Sequence, residues 1–549
     1  MANRLGAVTV LASAQFVMTL DSTVMNVSIS TVVKDLHTTI SAMQACITFY
    51  TLTMAAFMLL GAKLGDVWGR RRALVIGSIV YAIGSGTTAL APNIAVLFLG
   101  WSVVEGLGAV LVIPAIAALI ANNYSGHARV TAFATIGAAS GVAVAVGPLI
   151  GGFLTTYASW RYVFAGEVVI MAVVLLFRKV VSDTGERAHI RIDILSVLLS
   201  AAALVFIVYG LLQTKTWGWI LPTQQDITVL GLSPVPFIVG IGAVLLWLFF
   251  LRQRRLIRLG RPPLLNTAIL RLRQLRAGVG SLGIQYTVTA GLFFVVPIFL
   301  QLSLGLDALS TGLRIFPLSV ALVLFSILGT ALARRLSPKL IARIGQFGLV
   351  LSSLVLLGSV DSTLDNWIFG AGMFLAGAAL GLLASQLGNI TMSAVGEDEL
   401  SEAGGVQGVY QNLGSSLGTA LIGSVMIASL TTLFSGGVAA STLPDSVQQQ
   451  IAAETQAGVA VVPVADVPKI ATNAGLSQDQ ANELSSIYSA SQLDALRLSF
   501  AALAIVSLGA VFFSRNLPSS VLGKPKGGDE EDGGAEDVED APPRSASSR

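Results

Sequence analysis

The chain has 549 residues, of which 54% are apolar and only 11% charged, with a formal net charge of +3. An ordinary soluble domain carries about 25% charged residues, so this composition excludes a water-facing globular surface. Its apolar residues come in blocks of about 20, the length that crosses a hydrocarbon core at ~1.5 Å per residue. Within a bilayer every backbone amide must be paired inside its own segment, which predicts helices and an all-α polytopic membrane protein.

In chain order, spans are expected at 6–30, 43–64, 73–91, 94–118, 130–154, 162–180, 192–213, 229–251, 275–302, 312–333, 340–359, 367–389, 405–433 and 495–514. With the N-terminus inside, only Lys34, Arg161, Lys215, Arg314, Lys469 and Arg497 of the 33 Lys and Arg fall outside. That asymmetry is the positive-inside pattern, so both termini are expected in the cytoplasm. The first block contains Asp21 and is too long for a signal-peptide core, so it reads as a retained helix. Residues 435–494 read as a polar extracytoplasmic loop rich in Gln, Ala and Ser. The tail 515–549, acidic beyond Lys524, cannot bury enough apolar surface to fold and reads as a disordered solubilising segment.

Cys46 is the only cysteine, which excludes an intramolecular disulfide. His37, His127 and His189 lie far apart, so neither a metal cluster nor a cofactor is expected. The basic residues flank the apolar blocks, so topology explains them without a nucleic-acid partner. No nucleophile stands near a base at a working spacing, and no phosphate-cradling Gly-Lys-Ser or Gly-Lys-Thr is present. An enzyme or an ATP-driven pump is therefore not expected.

The turn Lys63–Arg71 has a counterpart in Ala331–Lys339, with Leu332 lying 268 residues after Leu64. The glycine-rich stretch around Gly147 has a counterpart near Gly414, at an offset of 267. Two matches at one offset suggest parallel halves. The expected organisation is a six-helix bundle over 1–180, two inserted helices over 181–260, and a second six-helix bundle over 261–514.

In the fifth span Gly137 and Gly141, then Gly147 and Gly151, repeat at a four-residue spacing that lets a neighbouring backbone approach; Pro148 and Gly152 adjoin them. Pro148 removes a ladder bond and should bend the helix. Gly147-Pro148-Leu149-Ile150-Gly151-Gly152 resembles the antiporter signature of the major facilitator superfamily, in its fourteen-helix drug:proton antiporter branch. Leu64–Arg71 resembles the superfamily's loop signature, which implies that Asp66, Gly69, Arg70 and Arg71 latch a cytoplasmic gate. Leu20–Val27 and Ser159–Phe164 resemble the branch's first-helix signature and the start of its sixth helix. The likeness runs from about residue 15 to 515. Departures accompany it: Ala62 and Val67 in the loop signature, Ser102 where the fourth helix usually has Arg, Glu167 for a frequent Asn, and Gln411 for a frequent Arg.

Three carboxylates lie within spans: Asp21, Glu105 and Glu167. An ionised acid at the membrane centre costs at least ~2.5 kcal/mol, so such groups usually face a water-filled cavity and do work there. A group whose proton affinity changes as access alternates can couple proton entry to substrate exit. Polar and aromatic positions that could line the substrate cavity are Met25, Asn26, Gln44, Tyr50, Trp101, Gln285, Tyr286, Gln386, Asn389 and Gln411. Hydrogen bonding between helices explains the polar ones equally well.

The leading expectation is proton-coupled efflux of small amphipathic, cationic compounds by a monomer in a bacterial inner membrane, with membrane lipid and protons as its other partners. Export of an endogenous lipid or metabolite, or a receptor or scaffold role, are the alternatives.

Overall fold

The computed structural model describes residues 2–124, 126–182, 192–222, 228–361, 367–396, 399–455 and 458–518; the acidic tail and His189 lie outside them. The membrane helices of the first half are α1 (Ala2–Asp35), α2 (Ile40–Trp68), α3 (Arg70–Ala89), α4 (Ile94–Leu97), α5 (Gly106–Asn123), α6 (Gly126–Tyr157) and α7 (Arg161–Leu176). A π-helical stretch, Phe98–Glu105, joins α4 to α5 in one continuous rod. Two further helices, α8 (Ile194–Leu212) and α10 (Val235–Arg258), are separated by the single turn α9 (Thr214–Trp217). The second half holds α11 (Arg273–Ile298), α12 (Ala308–Leu332), α13 (Pro338–Ser359), α14 (Trp367–Met392) and α15 (Leu400–Ala439). After the short α16 (Asp445–Glu454) and α17 (Val467–Asn473), α18 (Gln478–Phe513) closes the fold.

Each of the fourteen expected segments falls on a helix, but among the described residues twelve spans are long and apolar enough to cross a membrane. The two that fall short are α3 and α7. The apolar character of α3 is diluted by Arg70, Arg71 and Arg72 at its start and by Ser78, Tyr81, Ser85, Thr87 and Thr88, and α7 has only 16 residues. The span expected at 229–251 sits later, because Pro234 and Pro236 set the start of α10 and its last turns carry the arginines.

Helices α1 to α7 pack chiefly on one another, as do α11 to α15 with α18. The two sets meet where α2 lies along α15 and where α6 lies along α12, with a smaller contact between α1 and α11. α8 and α10 form a pair whose α8 rests on α2 and α15. We call the end bearing the Gly69 turn the turn face. Gly69 has φ of +96°, a conformation that costs a residue with a Cβ, and it both ends α2 and starts α3.

The expected polar loop at 435–494 has a core of its own. α15 and α18 run past the membrane length, and Leu430, Phe434, Val438, Leu443, Ile451, Val467, Leu476, Leu484 and Tyr488 pack together with α16 and α17. Apolar residues dispersed at helical spacing in a polar composition suffice for this small cap.

Candidate functional site

The three acids come together. Asp21 on α1, Glu105 at the end of the π-helical stretch and Glu167 on α7 each place a carboxylate oxygen within 4.8 Å of the other two, and all three are fully buried. Trp101 Nε1 donates to Asp21 Oδ1 at 3.0 Å and to Oδ2 at 3.1 Å. Tyr81 donates its hydroxyl to Glu167 Oε2 at 3.1 Å, and Ser85 donates to the same oxygen at 3.0 Å. Neither oxygen of Glu105 has a hydrogen-bond partner among the described residues, and no cation pairs with any of the three acids. Tyr50 stacks on Trp101, with ring centroids 5.1 Å apart, and Phe164 meets the indole edge-on at 6.2 Å.

Local sequence explains how the acids reach one another. Gly84 on α3 lets the rod close in: a Cβ there would lie 2.5 Å from the backbone nitrogen of Glu105. Ser78, Tyr81, Ser85 and Thr88 recur every three or four residues and all face inward, a polar stripe on one side of α3. The π-helical stretch widens the turn and re-aims its side chains, so that Trp101 and Glu105 both point at Asp21 and Glu167. A second π-helical stretch, Phe299–Ser303 after α11, presents Gln301, whose Nε2 donates to the Val27 carbonyl at 2.9 Å and whose Oε1 accepts from Ser30.

The end opposite the turn face is sealed. A Cβ on Gly152 would lie 2.6 Å from the Ala308 carbonyl oxygen, and Gly312 packs on the Pro148 carbonyl. Thr156 accepts from the Leu309 amide at 3.1 Å. Gly147 and Gly151 bring α6 against α1, where added Cβ atoms would crowd Thr23 and Val24. Gln44 donates to the carbonyls of Thr419 and Ala420 across the α2–α15 contact and accepts from Lys215 Nζ at 2.8 Å. Burial pushes the Lys215 ammonium down to about 8.

Toward the turn face, the α6 surface is open. Gly137 and Gly141 belong to the same glycine series, yet a Cβ on either would meet nothing within 4 Å. The expected close approach therefore holds for Gly147 and Gly151, which pack on α1, and not for Gly137 and Gly141, which face open space. At the turn itself Arg70 is ion-paired with Asp66, and Arg71 donates to the Val181 carbonyl at 3.5 Å.

The proposed cavity positions divide. Trp101 and Tyr50 belong to the acid cluster, and Gln44 to the seal. Gln386 is buried and donates to the Gly329 carbonyl at 3.0 Å. Met25 and Asn26 are buried on α1, Gln285 is buried with Oε1 unpartnered among the described residues, Tyr286 and Gln411 are half-buried, and Asn389 is exposed. Sequence reading missed Tyr81, Ser85 and Lys215. The stripe on α3 was the signal available for the first two.

Apolar helices of bilayer length, wrapped round a buried acid cluster and sealed at one end, define a multi-pass membrane transporter. The chain belongs to the Major Facilitator Superfamily, whose family model matches residues 11–419. It is 28% identical to the "Probable actinorhodin transporter" of Streptomyces coelicolor, over 78% of this chain and 73% of that one. It is 26% identical to the "Tetracenomycin C resistance and export protein" of Streptomyces glaucescens, over 92% and 91%. The "Multidrug resistance protein Stp" of Mycobacterium tuberculosis matches at 27% over 82% and 81%. Among solved structures, a bacterial homologue of the human lysosomal transporter Spinster superposes with a TM-score of 0.60 at 14% identity, covering 94% of this chain and 98% of that one. The D-xylose-proton symporter superposes at 0.54 and 14% identity, covering 77% and 90%.

Proposed function

We propose that the chain exports small amphipathic, cationic compounds across the bacterial inner membrane in exchange for protons, by alternating access between two six-helix bundles. The observation that carries this reading is the Asp21–Glu105–Glu167 cluster, with no cation paired to it among the described residues. Two unit charges 4 Å apart repel by about 4 kcal/mol even at an effective dielectric of 20. Three such carboxylates cannot all stay ionised in a dry cluster, so closed helices hold at least one proton among them. Solvation or an arriving cation changes that occupancy, which is the exchange a coupled carrier needs. The names of the resistance and export relatives support drug-like cargo.

Fourteen spans, with α3 and α7 crossing as well, keep both termini on the cytoplasmic side and make the turn face cytoplasmic. The open α6 surface at Gly137 and Gly141 is then part of the mouth of an inward-facing state, and Asp66 with Arg70 and Arg71 forms the latch that closes it. The protein works as a monomer, and the bundles are residues 1–180 and 261–514 with 181–260 inserted. A narrower cargo, an endogenous lipid or metabolite, is the second reading, favoured by a relative named for transport of a single compound.

The test is proton release on substrate binding by purified protein, and ΔpH-driven accumulation of a fluorescent organic cation in inverted vesicles. Binding without proton release, unchanged by loss of the acids, would exclude the exchange.

A further inference from the structure

Where α10 leaves the bilayer, a cleft of about 520 Å³ is lined by Leu251, Arg254, Ile257, Arg258, Thr267 and Arg271, among others. The segment after α10 folds back over it. Gly260, with φ of +64°, makes the reversal, and buried Gln253 accepts from the Leu264 and Leu265 amides at 2.9 and 3.3 Å. This brings Arg271 opposite Arg254 and Arg258. All three guanidinium groups are exposed, and none is ion-paired among the described residues. The nearby acids are engaged elsewhere: Asp193 holds Arg252, and Glu402 accepts from the Asn266 amide.

The face of α10 below the cleft decides what fills it. Val244, Trp247, Leu248 and Leu251 are 55%, 61%, 39% and 39% exposed, and they stand on the helix side that continues into Arg254 and Arg258. An apolar stripe of this kind faces acyl chains, and an arginine group at its end faces the headgroup layer. We propose that this cleft binds an anionic phospholipid, its phosphate held by Arg254, Arg258 and Arg271 and its chains laid along Val244, Leu248 and Leu251. Arginine suits the task because its planar fork grips phosphate through paired hydrogen bonds. The inserted α8–α10 pair thereby gains a lipid anchor beside the α2–α15 contact.

The experiment is native mass spectrometry of the full-length protein with phosphatidylglycerol, phosphatidylcholine or inorganic phosphate as the added probe. Wild-type protein is expected to retain phosphatidylglycerol in preference to phosphatidylcholine, and inorganic phosphate is expected not to displace it. Each arginine near a charged bilayer surface contributes about fivefold, so the Arg254→Gln/Arg258→Gln/Arg271→Gln variant should bind phosphatidylglycerol on the order of 100-fold more weakly. Arg254→Lys/Arg258→Lys/Arg271→Lys keeps the charge and loses the fork. It should bind more tightly than the glutamine variant and more weakly than wild type, which separates lost charge from lost fold. Arg334→Gln/Arg335→Gln, on another turn-face loop, should leave it unchanged. Equal lipid retention by the glutamine variant, equal loss in the Arg334/Arg335 control, or displacement by inorganic phosphate would each overturn the assignment, the last by identifying a soluble-anion site.

Discussion

Trp101 Nε1 donates to both oxygens of Asp21, from the middle of the π-helical stretch that ends at Glu105. The indole thus ties the acid of α1 to the backbone that carries the second acid. A shift of that stretch changes the hydrogen bonding of one carboxylate and the position of another together, which gives the cluster a mechanical link to helix movement.

Replacing Asp21 by Asn, or Glu105 by Gln, keeps the shape and removes one titrating group. Either substitution is expected to abolish proton release on substrate binding while expression and helix content stay at wild-type levels. Retained ΔpH-driven transport in inverted vesicles would remove that residue from the relay.

Trp101→Phe keeps the stacking on Tyr50 but takes away the donor. A hydrogen bond to a charged group contributes about 1.5–3 kcal/mol, so proton-coupled transport should fall roughly tenfold or more. Passive binding of substrate should change less. A pH–rate profile superimposable on wild type would show that the indole only packs.

Gly152→Leu drives a side chain into the Ala308 carbonyl, and overpacking of this kind costs about 1–3 kcal/mol. The sealed state should become roughly 5- to 150-fold less populated, read as loss of transport with normal membrane insertion. Gly137→Ala, with open space around it, should transport like wild type in this state of the molecule. Equal damage at both positions would mean that the seal does not distinguish them.

Asp193 caps α8 through the Ser196 amide and takes a two-pronged bond from Arg252, at 2.6 Å on each oxygen. The Arg252 guanidinium, helped by Ser196, holds its carboxyl at about 2, below the ordinary value near 3.8. A depressed acid stabilises the fold fully above its unfolded value, and that contribution disappears as pH falls through about 2. Asp193→Asn preserves the cap and loses the charge pair, so the melting temperature should drop by an amount worth about 1 kcal/mol or less at neutral pH. The difference from wild type should shrink below pH 4; a gap constant across pH would rule out the ion pair as its source.

Tyr488 accepts from the Val462 amide at 2.8 Å and reaches the Ala460 and Val462 carbonyls at 3.1 Å, clamping the cap's connecting strand of chain to α18. Tyr488→Phe leaves that amide without its partner, at a cost of about 1–3 kcal/mol. Limited proteolysis should then cut within 455–477 faster than in wild type, with the membrane helices intact. Unchanged cleavage would show that the apolar core holds the cap by itself.

The long apolar blocks made the helices and their approximate positions readable, because a bilayer tolerates no unpaired backbone and its thickness fixes the length. The acids were readable too, since a carboxyl inside a span stands out against apolar neighbours. Chain order alone could not reveal that Asp21, Glu105 and Glu167 meet, being 84 and 62 residues apart along the sequence. That meeting depends on Gly84 admitting the rod, on a widened helical turn, and on a polar stripe that also dilutes α3 as a span. Nor could it separate Gly147 and Gly151, which are packed, from Gly137 and Gly141, which are open, because the same spacing serves both and only α1 lying against the first pair distinguishes them. The sequence by itself determined the solvent and the material of this protein, since hydrophobicity acts residue by residue. Only the tertiary structure decided which charges share a chamber and which end is shut, because those depend on distances between segments that no local pattern encodes.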